Sequence, residues 1–125
     1  MNAKNKKILK IAGIIAAVFT VIVFILGKQK KKVEDVKKWI AAIKQVLNDN
    51  FEIRDNVMER KRTESEALQA YEKNALLKDA FNVINSKFKE GRYNSVASFE
   101  EIAQGHLDYI LSTKNFIFKL AFKIF

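Results

Sequence analysis

The stretch IAGIIAAVFTVIVFILG, Ile11 to Gly27, runs seventeen residues without a charge, and its reading decides how the rest of the chain is placed. Extended back past Lys10, whose ammonium lifts toward headgroups, the run from Ile8 to Leu26 makes about 28 Å of helix, against roughly 30 Å for a hydrocarbon core. The expectation is one transmembrane helix over 8–27, preceded by a basic tail, 1–7. A signal peptide has the same opening shape, but no Ala-x-Ala-like site follows Leu26. Gly27-Lys28-Gln29-Lys30-Lys31-Lys32 stands there instead, so the segment reads as an uncleaved anchor.

Charge is arranged around this segment. The net charge is +9. Residues 1–38 carry ten Lys against Glu34 and Asp35, residues 39–113 carry ten Lys or Arg against twelve Asp or Glu, and residues 114–125 carry three Lys and no acid. The cations therefore bracket the two apolar ends, where anionic lipid is the nearer counter-charge, and Lys outnumbers the Arg that bidentate phosphate or base readers require. This argues for lipid headgroups as a partner and against nucleic acid. The Lys cluster after the anchor, with Lys28, Lys30, Lys31, Lys32, Lys37 and Lys38, is larger than the one before it, which favours a cytoplasmic C-terminal domain under the positive-inside rule. Within the anchor Gly13 and Ala17 are four apart and Thr20 follows, the small-xxx-small face of associating membrane helices and a route to a homo-oligomer.

Beyond the anchor and a basic juxtamembrane segment, 28–38, the absence of proline and the scarcity of glycine favour long helices. The absence of cysteine removes disulfides and thiolate chemistry. Val36, Ile40, Ile43 and Leu47 form one helical stripe, continuing the anchor with little interruption at Gly27. Trp39 lies too far beyond the membrane edge for an interfacial belt residue if the helix is straight, so it is assigned to a core or partner contact. Asn48-Asp49-Asn50 is a soft break. Phe51, Ile53, Val57 and Met58 are a thinner apolar set on a continuing or restarting helix, and 59–64 is a turn or solvated helical stretch. Thr63 with Glu66 has capping-box spacing, opening one helix over 64–89 with Leu68, Tyr71, Ala75, Leu77, Ala80, Phe81, Ile84 and Phe88 inward. Gly91 to Ser95 closes it. Ser98 opens a further helix with Phe99, Ile102, Ala103, His106 and Ile110 inward, and Ser112 to Asn115 breaks it. A bundle over 39–113 follows.

The end of the chain, FIFKLAFKIF from Phe116 to Phe125, is aromatic and basic. A terminus this apolar is seldom left in water. Either it completes the bundle core or, as favoured by its Lys and lack of acid, 114–125 lies in a membrane interface. The expected lipid contacts are Lys28, Lys30, Lys31, Lys32, Phe118, Lys119, Phe122, Lys123 and Phe125.

Catalytic chemistry has little foothold. His106 is the single histidine and is expected as a hydrogen-bonded core residue. Glu100 and Glu101 are adjacent, so they diverge on a helix and suit its first turn better than a facing acid pair. No phosphate loop, nucleophile elbow or metal-ligand spacing is present, so no enzyme activity, metal or cofactor is expected. The capped helices from 64 to 112 with the tail resemble bacteriocin immunity proteins, and the order of anchor, long helix and bundle resembles envelope proteins of the LemA kind. The Arg-Arg and Pro-Asn-Leu signature of the latter is missing, the former has no diagnostic motif here, and neither lends a residue.

The fold class expected is all-α: a single N-terminal transmembrane helix continuing into a small antiparallel helical bundle of coiled-coil-like packing, with an amphipathic C-terminal tail. The function expected is a non-enzymatic, membrane-anchored scaffold for another membrane or membrane-associated protein. The rival is a membrane-active effector, or its immunity factor, acting on the bilayer or a pore.

Overall fold

The structure, a computed structural model, describes residues 17, 18 and 20–125. The basic tail 1–7 and half of the expected span over 8–27, Gly13 included, lie outside the described residues. Among the described residues no helix is long and apolar enough to cross a membrane. The chain divides into two compact units, one formed by the chain up to Glu34 together with Lys114–Phe125, the other by Asp35–Thr113.

Helix dominates. Residues 20–28 are helical, and after a turn at Gln29 helix α1 runs over Lys30–Asn50. In the second unit the expected stripe is the one that packs: Ile40, Ile43 and Leu47 are buried and Val36 packs against them, joined by Ala42 and Val46. Helix α2 (Glu64–Ala70), α3 (Ala75–Lys89) and α4 (Phe99–Ser112) supply Ala67, Ala80, Phe81, Ile84, Ile102 and Ala103 to the same core.

The all-α expectation needs correcting between α1 and α2. Strands β1 (Phe51–Arg54) and β2 (Val57–Arg60) form an antiparallel hairpin in the register Phe51↔Arg60, Glu52↔Glu59, Ile53↔Met58, Arg54↔Val57. The physical reason is the two-residue loop. Asp55 and Asn56 have φ of 53° and 63°, the left-handed pair of a type I′ turn, whose twist matches that of the flanking strands. Alternation then puts Phe51, Ile53, Met58 and Arg60 on the inner side of the ladder and Glu52, Arg54, Val57 and Glu59 on the outer. Phe51 and Met58 are buried.

The single helix expected over 64–89 is also two. Thr63 caps α2 with a complete capping box, its hydroxyl accepting from the Glu66 N–H at 3.1 Å while Glu66 accepts from the Thr63 N–H at 3.2 Å. The chain turns after Ala70 and restarts at Asn74, whose side chain accepts from the Leu77 N–H at 3.1 Å. This break shifts the helical phase, so Leu68 and Ala75, expected inside, are exposed. Helix α3 ends in a Schellman turn: the Gly91 N–H donates to the Phe88 carbonyl and the Arg92 N–H to the Lys87 carbonyl, with Gly91 at φ 75°.

In the other unit, Asn115 caps helix α5 (Phe116–Ile124) by accepting from the Phe118 N–H at 2.9 Å.

Candidate functional site

Two features are built well enough to act: a cleft in the Asp35–Thr113 unit and an uncovered apolar surface in the other.

The cleft, of about 620 Å³, is walled by α3, the loop after it, α4 and Trp39 of α1. That volume lies in the range typical of small-molecule sites. Helix α3 contributes Val83 and Lys87, the loop Arg92, Tyr93, Ser95 and Val96, and α4 Glu101, Ile102, Gly105, His106, Tyr109 and Ile110. The loop is held by the hairpin, since the Met58 N–H donates to the Tyr93 carbonyl at 3.1 Å and the Val96 N–H to the Asn56 carbonyl at 2.7 Å. The turn that makes the hairpin therefore also sets one wall of the cleft. Ser98 and Glu101 fix the start of α4, with the Glu101 N–H donating to the Ser98 hydroxyl at 3.3 Å and the Glu101 carboxylate accepting from the Ala97 N–H at 2.8 Å.

Polar groups on this wall are unevenly satisfied. The Tyr93 hydroxyl is buried with no hydrogen-bond partner, and burial pushes its phenol up to about 12. Glu101 is engaged by backbone, and Arg92 donates to Glu90 at 3.1 Å. Lys87 forms no ion pair among the described residues. His106 is half-buried, and its ring has no hydrogen bond among the described residues, which corrects the expected hydrogen-bonded core histidine. Burial, with the Lys87 charge beside it, holds its pKa below the usual histidine value. Trp39 is half-buried against the core and lines the cleft, as a core or partner contact would. Among the described residues no group of three His, Asp or Glu is placed to hold a metal ion.

A second polar cluster joins the hairpin, α2 and α3. Arg60 lies with its guanidinium 5.7 Å from the Phe51 ring centre and 4.7 Å from that of Phe88, donates to Asn85, and pairs with Glu64 at 3.2 Å. Lys89 reaches Glu64 at 2.8 Å and is the first cause holding that carboxyl below its ordinary value. These contacts fasten the hairpin, α2 and α3 together; of the cluster, Glu64 also borders a shallow surface depression with Ser65, Leu68, Gln69 and Glu72.

The other unit carries all the residues expected at lipid. Val21, Ile22, Val23, Phe24 and Ile25 are between 38% and 63% exposed. Five successive helical positions, stepping by about 100° each, span the whole circumference, so no side of this segment is covered. Lys28 sits 4.6 Å over the Phe24 ring, and Lys30, Lys31 and Lys32 are exposed. Of the helix-association set, Ala17 and Thr20 are exposed and Gly13 lies outside the described residues. Lys119 and Lys123 of α5 and Phe125 just after it are exposed, but Phe118 is buried and Phe122 half-buried, the two rings 6.3 Å apart. The open apolar positions of α5 are instead Phe116, Ile117, Leu120 and Ile124, with the two Lys at their border. The sign that would have found them is the 116, 120, 124 spacing of one helical stripe.

The cleft had no counterpart in the sequence reading. Its only local sign is Gly105, a glycine well inside a helix. Compared with known proteins, the chain matches no family model, no curated protein and no solved structure.

Proposed function

We propose that the protein is a non-enzymatic membrane-tethered interaction module: the N-terminal apolar segment anchors it by a single pass, and the Asp35–Thr113 unit is held near the bilayer as the part that binds. The observation that carries this reading is the unbroken exposure of Val21 to Ile25. A helix apolar on all sides is stable only inside a protein core or a membrane. The Lys of 28–32 stand where anionic headgroups would meet them, and α5 presents an apolar stripe edged by Lys119 and Lys123, the arrangement of helices that lie in the interface. The larger Lys cluster after the segment favours the binding unit on the cytoplasmic side.

Membrane fractionation of cells making the full chain tests this. The protein is expected to stay in the pellet through alkaline carbonate and to be released by detergent. Release by carbonate alone would end the tether proposal. Leakage of dye from anionic vesicles on adding the full chain would favour the effector reading instead.

A further inference from the structure

We propose that the open face of α5 is a reversible contact with anionic phospholipid, separate from the N-terminal anchor, so that the anionic content of the leaflet sets whether α5 lies on it. This rests on the membrane reading for placing α5 beside a bilayer, and adds to it a lipid class and a form of regulation.

The two faces of α5 differ in kind. Successive residues step by about 100°, so Phe116, Leu120, Ile124 and Ile117 fall within an arc of about 100°, while Phe118, Ala121 and Phe122 fall on the far side. The far side is already covered, with Phe118 3% and Ala121 0% exposed. The near side is open, with Phe116 76% and Ile124 58% exposed. Four neighbouring large apolar side chains form a patch, which marks a docking surface where a lone exposed leucine would not.

Charge decides the occupant. Lys123 and Lys119 stand about 20° and 60° beyond Phe116 around the helix, both are exposed, and α5 has no Asp or Glu. The described residues of its unit carry seven Lys against one acid, Glu34. A second copy of α5 would bring its own Lys against these with no carboxylate to answer them, which disfavours self-pairing. An anionic headgroup layer answers them, while the acyl boundary takes Phe116, Leu120 and Ile124. Attraction to such a surface strengthens binding about fivefold per Lys. A helix of nine residues offers little apolar area, so this electrostatic share decides whether it stays down.

The chain has no cysteine, so Leu120→Cys carrying the fluorophore NBD reports on the open face alone. The labelled full chain is reconstituted into vesicles of phosphatidylcholine with increasing phosphatidylglycerol. NBD emission is expected to shift blue, and to be quenched by nitroxide lipid, as phosphatidylglycerol rises; it should stay aqueous in phosphatidylcholine alone and return to aqueous in about 1 M NaCl, where charges are screened within roughly 3 Å. Lys119→Gln with Lys123→Gln, exposed changes that leave the fold intact, should move the transition to higher phosphatidylglycerol. Aqueous emission at every composition overturns the proposal. So does a blue shift equal in phosphatidylcholine alone, or one that follows protein density in the vesicle instead of phosphatidylglycerol, which would mean a second copy. Flotation of the same vesicles after alkaline carbonate reads the anchor separately: protein that floats with an aqueous label loses this proposal alone, and protein that carbonate strips, after a blue shift at neutral pH, loses the single-pass tether alone.

Discussion

The Asn50 side-chain amide donates to the Tyr71 hydroxyl at 3.0 Å, tying the last residue of α1 to the end of α2. The same amide donates to the Val46 carbonyl at 2.8 Å, its oxygen accepts from Arg62 Nε at 2.5 Å, and Tyr71 donates onward to Asp49 at 2.7 Å. Asn50 is 1% exposed, so each partner left behind by its removal loses a hydrogen bond away from water. Asn50→Ala is expected to cost about 2–4 kcal/mol and Tyr71→Phe about 1–2 kcal/mol, by urea unfolding followed by circular dichroism. An Asn50→Ala cost within experimental error of zero would mean the network contributes nothing to stability.

Gly91 and Gly105 are expected to respond to alanine with opposite signs. Gly91→Ala forces a Cβ into φ 75° and to 3.1 Å from the Asn94 amide nitrogen, and should destabilise by about 1 kcal/mol. Gly105→Ala enters open space in a regular helix and should stabilise by about 0.5–1 kcal/mol. Thermal melts of both variants check this; a destabilised Gly105→Ala would show that the site is not open.

The hairpin turn gives a third measurement. Asn56 holds φ 63°, which glycine adopts without steric cost, so Asn56→Gly is expected to stabilise by about 0.5–1 kcal/mol. Asn56→Val should cost more than it gains in strand propensity, because a β-branched side chain is strained there. Since the Asn56 carbonyl holds Val96, the Val variant should also loosen the cleft wall, read as faster amide exchange at Val96.

Acid should weaken the fold through His106. Its pKa lies below the usual histidine value of about 6.5 because it is half-buried beside Lys87, so over the interval between the two values the unfolded chain binds more protons than the folded one. The sign is then fixed: stability is whole above about 6.5 and falls as pH drops from there through the folded pKa. His106→Gln should remove that part of the slope, and the imidazole proton resonance should titrate with a midpoint under 6.5 in the folded chain. A midpoint above 6.5 would contradict the burial argument.

What could be read from the letters follows the range of the interactions concerned. The stripe Val36, Ile40, Ile43, Leu47 and the caps at Thr63 and Ser98 are set by contacts within a few residues, and the structure has them where the spacing put them. The hairpin was written just as locally, in FEIRDNVMER, with alternation about a pair of residues that tolerate positive φ. Helix on both sides and the absence of proline make continuation the stronger local pattern there. The cap at Asn74 is hidden for a related reason: apolar residues keep near-helical spacing across it, and only Leu68 and Ala75, turned outward, betray the change of phase.

The sequence by itself determined the mostly helical character, the caps, the charge bracketing both apolar ends, and the lack of thiol chemistry, because each depends on composition or on neighbours in the chain. Tertiary structure alone decided that Phe118 turns inward while Phe116 and Leu120 stay open, and that Trp39, Lys87, Tyr93 and Gly105 share one cleft. Those residues come from three helices and a loop pinned by the hairpin, so nothing joins them until the backbone bonds from Met58 and Asn56 set the loop in place.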